Sequence, residues 1–193
     1  MYIDYIVMHT SINNIIEKGN FTMKDAKLFV IRKPHQGVDV VENVLTYMLD
    51  SVFADQESIM TNEVSDTSFE EMLEDIYQVQ SQKNMVNHRA MFHMVLSTRP
   101  SKVSQRILDA GAQAILEYFS ILGHQVVLVP HYGSENNCLN YHYHIAVNPI
   151  SMNGNRLLDK WETYCSITAY LNQHTRNEWT WGYTTPSNAK KYF

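Results

Sequence analysis

The chain has 193 residues, 45% hydrophobic and 18% charged, with a formal net charge of −5; this suits one globular domain with an apolar core and excludes disorder as the default. No apolar run approaches the roughly 20 residues of a membrane span, and the first ten residues lack the basic-then-apolar order of a signal peptide, so a cytoplasmic protein without a membrane span is expected. The two cysteines, Cys138 and Cys165, are too few for a disulfide framework and belong to no CxxC pair, so they read as free thiols.

The negative charge is unevenly placed. Residues 34–82 hold eleven acids and no lysine or arginine, so the rest of the chain carries all 15 basic residues against nine acidic ones, a balance of +6. Phosphate binding needs local positive potential, and that remainder can supply it, although ordinary solvated charges account for the same pattern.

In chain order, alternating apolar patches predict strands over residues 2–8 and 27–32, joined through a turn at 17–20. Residues 38–51 place Val40, Val41, Val44, Leu45, Met48 and Leu49 at helical spacing, with Tyr47 beside the apolar stripe. A polar stretch follows at 55–66, then an acidic helix over 68–80 with Thr67 or Ser68 as its cap. Residues 90–97 read as a strand, broken at 99–101. A long helix over 104–122 is ended by Gly123. An apolar strand over 125–131, a polar loop over 132–140 and a strand over 141–148 form a hairpin, and a turn at 152–155 leads to a helix over 157–172. The sum is one α+β domain over 1–193, with helices packed on a central, mainly antiparallel sheet and an acidic, insertion-like helical segment at about 52–84.

The chemistry concentrates in the hairpin. His142 and His144 are separated by one residue on a predicted strand, so both rings project from one face. His131 ends the preceding strand with the parity of Gln125, Val127 and Val129. Three neutral nitrogen donors converging from neighbouring strands leave coordination positions open, the geometry of a working metal. Two histidines on an exposed edge strand would need no metal. Here the apolar flanks mark both strands as interior, where three uncompensated imidazoles are costly unless they share a ligand.

The pattern of His131, ten residues, His142, one residue and His144, followed by an apolar stretch to Asn148 and then Gly154, resembles the HUH endonucleases, specifically the relaxases that mobilise plasmids and conjugative transposons. Phe92-His93-Met94-Val95-Leu96-Ser97 with Arg99-Pro100 and the long helix is similar to the segment preceding the histidine triad in those relaxases, and Val44-Leu45-Thr46-Tyr47-Met48-Leu49 to the helix carrying their tyrosine. The resemblance spans residues 38 to about 172.

It implies a relaxase-like sheet with a ferredoxin/RRM-like core. It implies a metal-dependent, site- and strand-specific cut in single-stranded DNA at an origin of transfer, with Tyr47 as nucleophile and a 5′-phosphotyrosine intermediate. Metal ligands would be His131, His142 and His144, with Mn²⁺ favoured over Mg²⁺ because imidazoles suit later first-row ions. Accessory relaxosome and coupling proteins would be partners. A tyrosine ordinarily titrates near about pH 10 and needs a cation or base; His35, Asp39 and Asp50 are the candidates to assist. Arg99, Lys102 and Arg106, at the start of the long helix, are candidate phosphate contacts, and Trp161, Trp179, Trp181 and Tyr183 candidate base-stacking residues. His93 reads as a packed structural histidine, with orienting a ligand or contacting phosphate as the alternative. Two other readings stay open. A replication initiator or transposase would use Tyr164 or Tyr170 after the triad, and a non-catalytic DNA-binding domain would keep the fold with structural histidines.

Overall fold

The strands with the longest apolar runs lie at the centre of the sheet, where both faces are covered. A computed structural model of the chain describes residues 26–31, 39–82, 89–98, 104–133, 141–175 and 177–184. The elements are β1 (Ala26–Ile31), α1 (Val40–Leu49), a 3₁₀ turn (Gln56–Ser58), β2 (Met60–Asn62), α2 (Phe69–Gln80), β3 (Phe92–Ser97), α3 (Ser104–Ile121), β4 (His124–Tyr132), β5 (Tyr141–Ser151), α4 (Trp161–Thr175) and β6 (Trp179–Thr184). The strand expected at 2–8, the turn at 17–20 and the break at 99–101 lie outside the described residues.

The six strands run in the order β2-β4-β5-β3-β1-β6. All neighbours are antiparallel except β1 and β6, which pair in parallel from Ala26↔Trp179 to Ile31↔Thr184. The expected α+β architecture with a mainly antiparallel sheet is therefore present. Two strands go beyond the sequence reading. β2 is three residues paired to β4, too short for a visible alternation, and β6 carries the aromatic residues at 179, 181 and 183 on alternate positions.

Side-chain alternation divides the core. On one face Phe92, Met94 and Leu96 of β3, Val126 and Leu128 of β4, and Tyr143, Ile145 and Val147 of β5 pack against Leu108, Ile115 and Phe119 of α3 and Tyr164, Ile167 and Leu171 of α4. On the other, Val127, Val129 and Ala146 meet Val41, Val44, Leu45 and Met48 of α1 and Met72 and Ile76 of α2. Ser68 caps α2, its Oγ accepting from the Glu71 N–H at 3.2 Å, which ties up one of the helix's unpaired first-turn donors. Gly123, at φ +72°, takes the left-handed conformation that lets α3 turn directly into β4.

The acidic stretch joins this framework through β2 and through a buried polar cluster beneath α2. Asn148 Nδ2 donates to the Ile76 carbonyl and to Gln125 Oε1, Gln80 Nε2 donates to Asn148 Oδ1, and Gln125 Nε2 donates to the carbonyls of Glu63 and Asp75. Buried amides of this kind are tolerated because each finds partners.

Candidate metal centre

In the β4–β5 hairpin His131 stands directly opposite His142, and Val129 opposite His144. Because alternate residues share a face, all three rings emerge on the α1 side of the sheet. They are buried, at 4%, 2% and 2% exposure, and one ring nitrogen from each lies within 4.8 Å of the others. His142 Nε2 and His144 Nε2 are 3.2 Å apart. Two nitrogens each about 2.1 Å from one ion would be separated by about 3 to 3.4 Å, so this pair already stands at the edge length of a coordination polyhedron.

Electrostatics favour the neutral, ligating form. Desolvation, followed by the neighbouring rings of His142, His93 and His131, holds His144 well below the ordinary histidine range. His131 is also lowered by burial, partly offset by its hydrogen bond to the Met48 carbonyl. A buried cluster that resists protonation while offering nitrogen lone pairs to one another fits a divalent cation, which would satisfy all three at once.

The hydrogen bond to Met48 ties the histidines to α1. His131 Nε2 lies 2.7 Å from the Met48 carbonyl; as a carbonyl only accepts, Nε2 carries the proton and Nδ1 keeps the lone pair. Met48 is in the last turn of α1, where carbonyls lack intrahelical donors. Asp50 N–H serves the Thr46 carbonyl and Gln56 Nε2 that of Leu49, so the helix end is held partly by a member of the triad.

Tyr47 precedes Met48. Its side is 52% exposed, and its ring meets His144 edge-on at 5.4 Å between centroids and His93 at 5.7 Å. Asp39 is at the opposite end of α1, eight residues or about 12 Å along the axis, while Asp50 immediately follows the helix. His35, Arg99 and Lys102 lie outside the described residues, as do His9, His88 and Cys138. Arg106 is exposed in the first turn of α3.

His93 projects from β3 onto the same face as the triad. It is 1% exposed, and its Nε2 lies 2.9 Å from His144 Nδ1. The sequence reading favoured a packed structural histidine at this position; the contact arises from the pairing of Val95 with His144 across β3 and β5, which sequence spacing does not reveal.

The other candidate tyrosines sit on α4, across the sheet from the histidines. Tyr164 is fully buried with its hydroxyl donating to Asp159 Oδ1 at 2.5 Å, and burial raises its pKa. Tyr170 stacks on His174 at 3.8 Å. Trp179 is core, whereas Trp161 and Tyr183 are exposed and flank Trp181 near β6. His124, on β4, is fastened to the Asn148 carbonyl through Nδ1 at 2.9 Å. Among the described residues no helix is long and apolar enough to cross a membrane.

A family model described as "Relaxase: MobA/VirD2-like, nuclease domain" matches residues 47–178, more than half of the chain. No curated protein and no solved structure matches it. The match begins at Tyr47 and takes in the hairpin with its three clustered histidines, and the chain belongs to the MobA/VirD2-like relaxase nuclease family, the DNA-nicking relaxases of the HUH superfamily.

Proposed function

We propose that the chain makes a site- and strand-specific cut in single-stranded DNA at an origin of transfer, with Tyr47 as nucleophile and His131, His142 and His144 as ligands of a divalent ion, Mn²⁺ in preference to Mg²⁺. The observation that carries this reading is the exposed Tyr47 ring lying edge-on to His144 at 5.4 Å. An accessible phenol stands beside a buried nitrogen cluster. When bound, the ion would supply Lewis-acid charge for the non-bridging oxygens of the scissile phosphate and a fixed point for its position.

The chain's own residues account for the rest. The three imidazoles hold the cation while staying neutral, so they do not cancel its charge toward phosphate. The bond from His131 to the end of α1 keeps the helix, and with it Tyr47, in register with the cluster. In the reaction the Tyr47 oxygen forms a bond to phosphorus as the bond to the 3′ oxygen breaks. The phenolic proton is released, and the departing 3′ oxygen takes up a proton as a hydroxyl. One phosphodiester replaces another, so the 5′-phosphotyrosine retains the energy needed to rejoin the strand. Arg106, in the first turn of α3, contributes a phosphate contact, joined by Arg99 and Lys102 of the preceding sequence, and accessory relaxosome and coupling proteins are the partners of such a cut.

The test is incubation with Mn²⁺ and single-stranded oligonucleotides covering the transfer origin, followed by mass spectrometry of the protein. The expected product is a nucleotide adduct on Tyr47 that disappears in Tyr47→Phe. An adduct surviving that substitution, or one mapped to Tyr164 or Tyr170, would overturn the assignment and point instead to the initiator or transposase mode.

A further inference from the structure

Three imidazoles make the candidate ligand set, and among the described residues a fourth, His93, shares the buried face without belonging to that set. We propose that His93 is a positioning residue for the metal centre: it accepts a hydrogen bond from His144 Nδ1–H and so fixes the tautomer and ring orientation that point His144 Nε2 at the ion. This rests on the reading that the triad holds a cation.

The proton placement follows from the distances. His144 Nε2 is the atom that faces His142 Nε2, at 3.2 Å. For that atom to offer a lone pair, the single proton of neutral His144 must sit on Nδ1. Nδ1 lies 2.9 Å from His93 Nε2, a normal N–H to nitrogen hydrogen-bond length. His93 must then present a lone pair at Nε2 and carry its own proton on Nδ1. Both residues are buried, at 1% and 2% exposure, so bulk water is a poor competitor for this bond.

His131 follows the same plan through a different partner. Its Nε2–H is donated to the Met48 carbonyl at 2.7 Å, leaving Nδ1 for the cluster. Two of the three ligands are thus each oriented by a hydrogen bond from the nitrogen that does not ligate, the usual way a protein fixes a metal-binding histidine. The acceptors differ from the common carboxylate in being neutral. A carboxylate against His144 would place a negative charge next to a site that must bind phosphate, whereas an imidazole orients the ligand and leaves the cation's charge undiminished. His93 also borders the Tyr47 ring at 5.7 Å, so it supports the nucleophile's side of the cluster as well as the metal's.

The experiment compares wild type, His93→Gln and His93→Leu by calorimetric titration with Mn²⁺, with thermal melting of each apo protein as the control for folding. Glutamine can set an amide oxygen near the position of Nε2 and restore the acceptor; leucine fills the space without one. Loss of an outer partner of a metal-binding histidine typically weakens binding about 10- to 100-fold, so the leucine variant is expected to lose that much and the glutamine variant to stay within a few-fold of wild type. A folded leucine variant binding Mn²⁺ like wild type would overturn the proposal, as would a glutamine variant as weak as the leucine one. Should His93→Leu fail to fold, long-range ¹H–¹⁵N spectra of the Zn²⁺-loaded wild type read the same assignment directly. His144 protonated on Nδ1 and His93 protonated on Nδ1 are expected, and coordination of His144 through Nδ1 overturns it. A wild type that takes up no Mn²⁺ or Zn²⁺ removes the metal reading and this role together; uptake indifferent to His93 removes this role alone.

Discussion

The two faces of β5 carry opposite investments. Tyr143, Ile145 and Val147 look toward α3 and α4 across a continuous apolar layer, while His142, His144, Ala146 and Asn148 look toward α1 and α2. On the first face polar atoms are pinned at its margin, as where Asp109 Oδ1 accepts from both Tyr141 and Tyr143. On the second, imidazoles and amides reach the middle of the covered surface and are satisfied by one another and by helix carbonyls. One strand therefore separates stability from chemistry by parity alone. Residues of the first face hold the sheet in shape, and the shape they hold is what brings His131, His142, His144 and His93 together on the second.

The largest contrast comes from truncating one residue on each face. Phe119 is fully buried against the apolar side, and Phe119→Ala should cost about 3–5 kcal/mol of stability. His144→Ala should abolish Mn²⁺ binding and nicking while shifting the apo protein's urea midpoint far less, since it removes a desolvated imidazole whose neighbours disfavour its charge. Equal loss of stability in the two variants would show that the faces do not divide the labour. A smaller effect tests how tightly the first face is packed. A Cβ on Gly111 would lie 2.6 Å and 2.8 Å from Trp179 ring carbons. Helix propensity alone would make Gly111→Ala favourable by up to about 1 kcal/mol. The ring is buried and hydrogen-bonded through Nε1 to Thr175, so it cannot retreat cheaply, and overpacking of about 1–3 kcal/mol should win. The expected result is a melting temperature lower by roughly 2–4 °C per kcal/mol, with Mn²⁺ affinity unchanged. A higher melting temperature would mean that Trp179 yields.

Much of this division was legible in the sequence because burial imposes period. The stripe of Val41, Val44, Leu45 and Met48 marks α1, and the β4 and β5 runs mark the hairpin, with ends displaced by at most three residues. α4 starts at Trp161 rather than 157 because Leu157 N–H is engaged by the Pro149 carbonyl and Lys160 N–H by that of Leu158. β2 escaped because Met60–Asn62 has no pattern of its own and exists through its pairing with β4. β6 escaped because alternating Trp179, Trp181 and Tyr183 read as base-stacking candidates, although that alternation is itself a strand signal. In the site, His142 and His144 share a face by arithmetic and His131 by hairpin geometry. The contact between His93 and His144 depends on the register of β3 against β5, and the bond from His131 to Met48 on the docking of α1. Such contacts between segments far apart in sequence leave no local trace.

The smallest expected effect per residue is proton-linked and reaches both faces. Burial lowers His124 on the apolar side and His131 and His144 on the other. When a folded-state pKa lies below the unfolded value of about 6.5, the unfolded chain binds more protons as pH falls, so stability is complete above that value and declines below it. Each such imidazole can withdraw at most about 1.4 kcal/mol between pH 6.5 and 5.5. Urea unfolding in EDTA should therefore show a plateau from pH 7.5 to 6.5 and a fall by 5.5. Replacing His124 by glutamine removes the share of a group lowered by burial against an opposing hydrogen bond, whereas His144→Ala removes the group that burial and the rings of His142, His93 and His131 hold well below the ordinary histidine range, so the second substitution should flatten the curve more than the first. A profile that rises toward pH 5.5, or one flattened equally by both substitutions, would mean that the clustered histidines do not hold protons off one another in the folded chain.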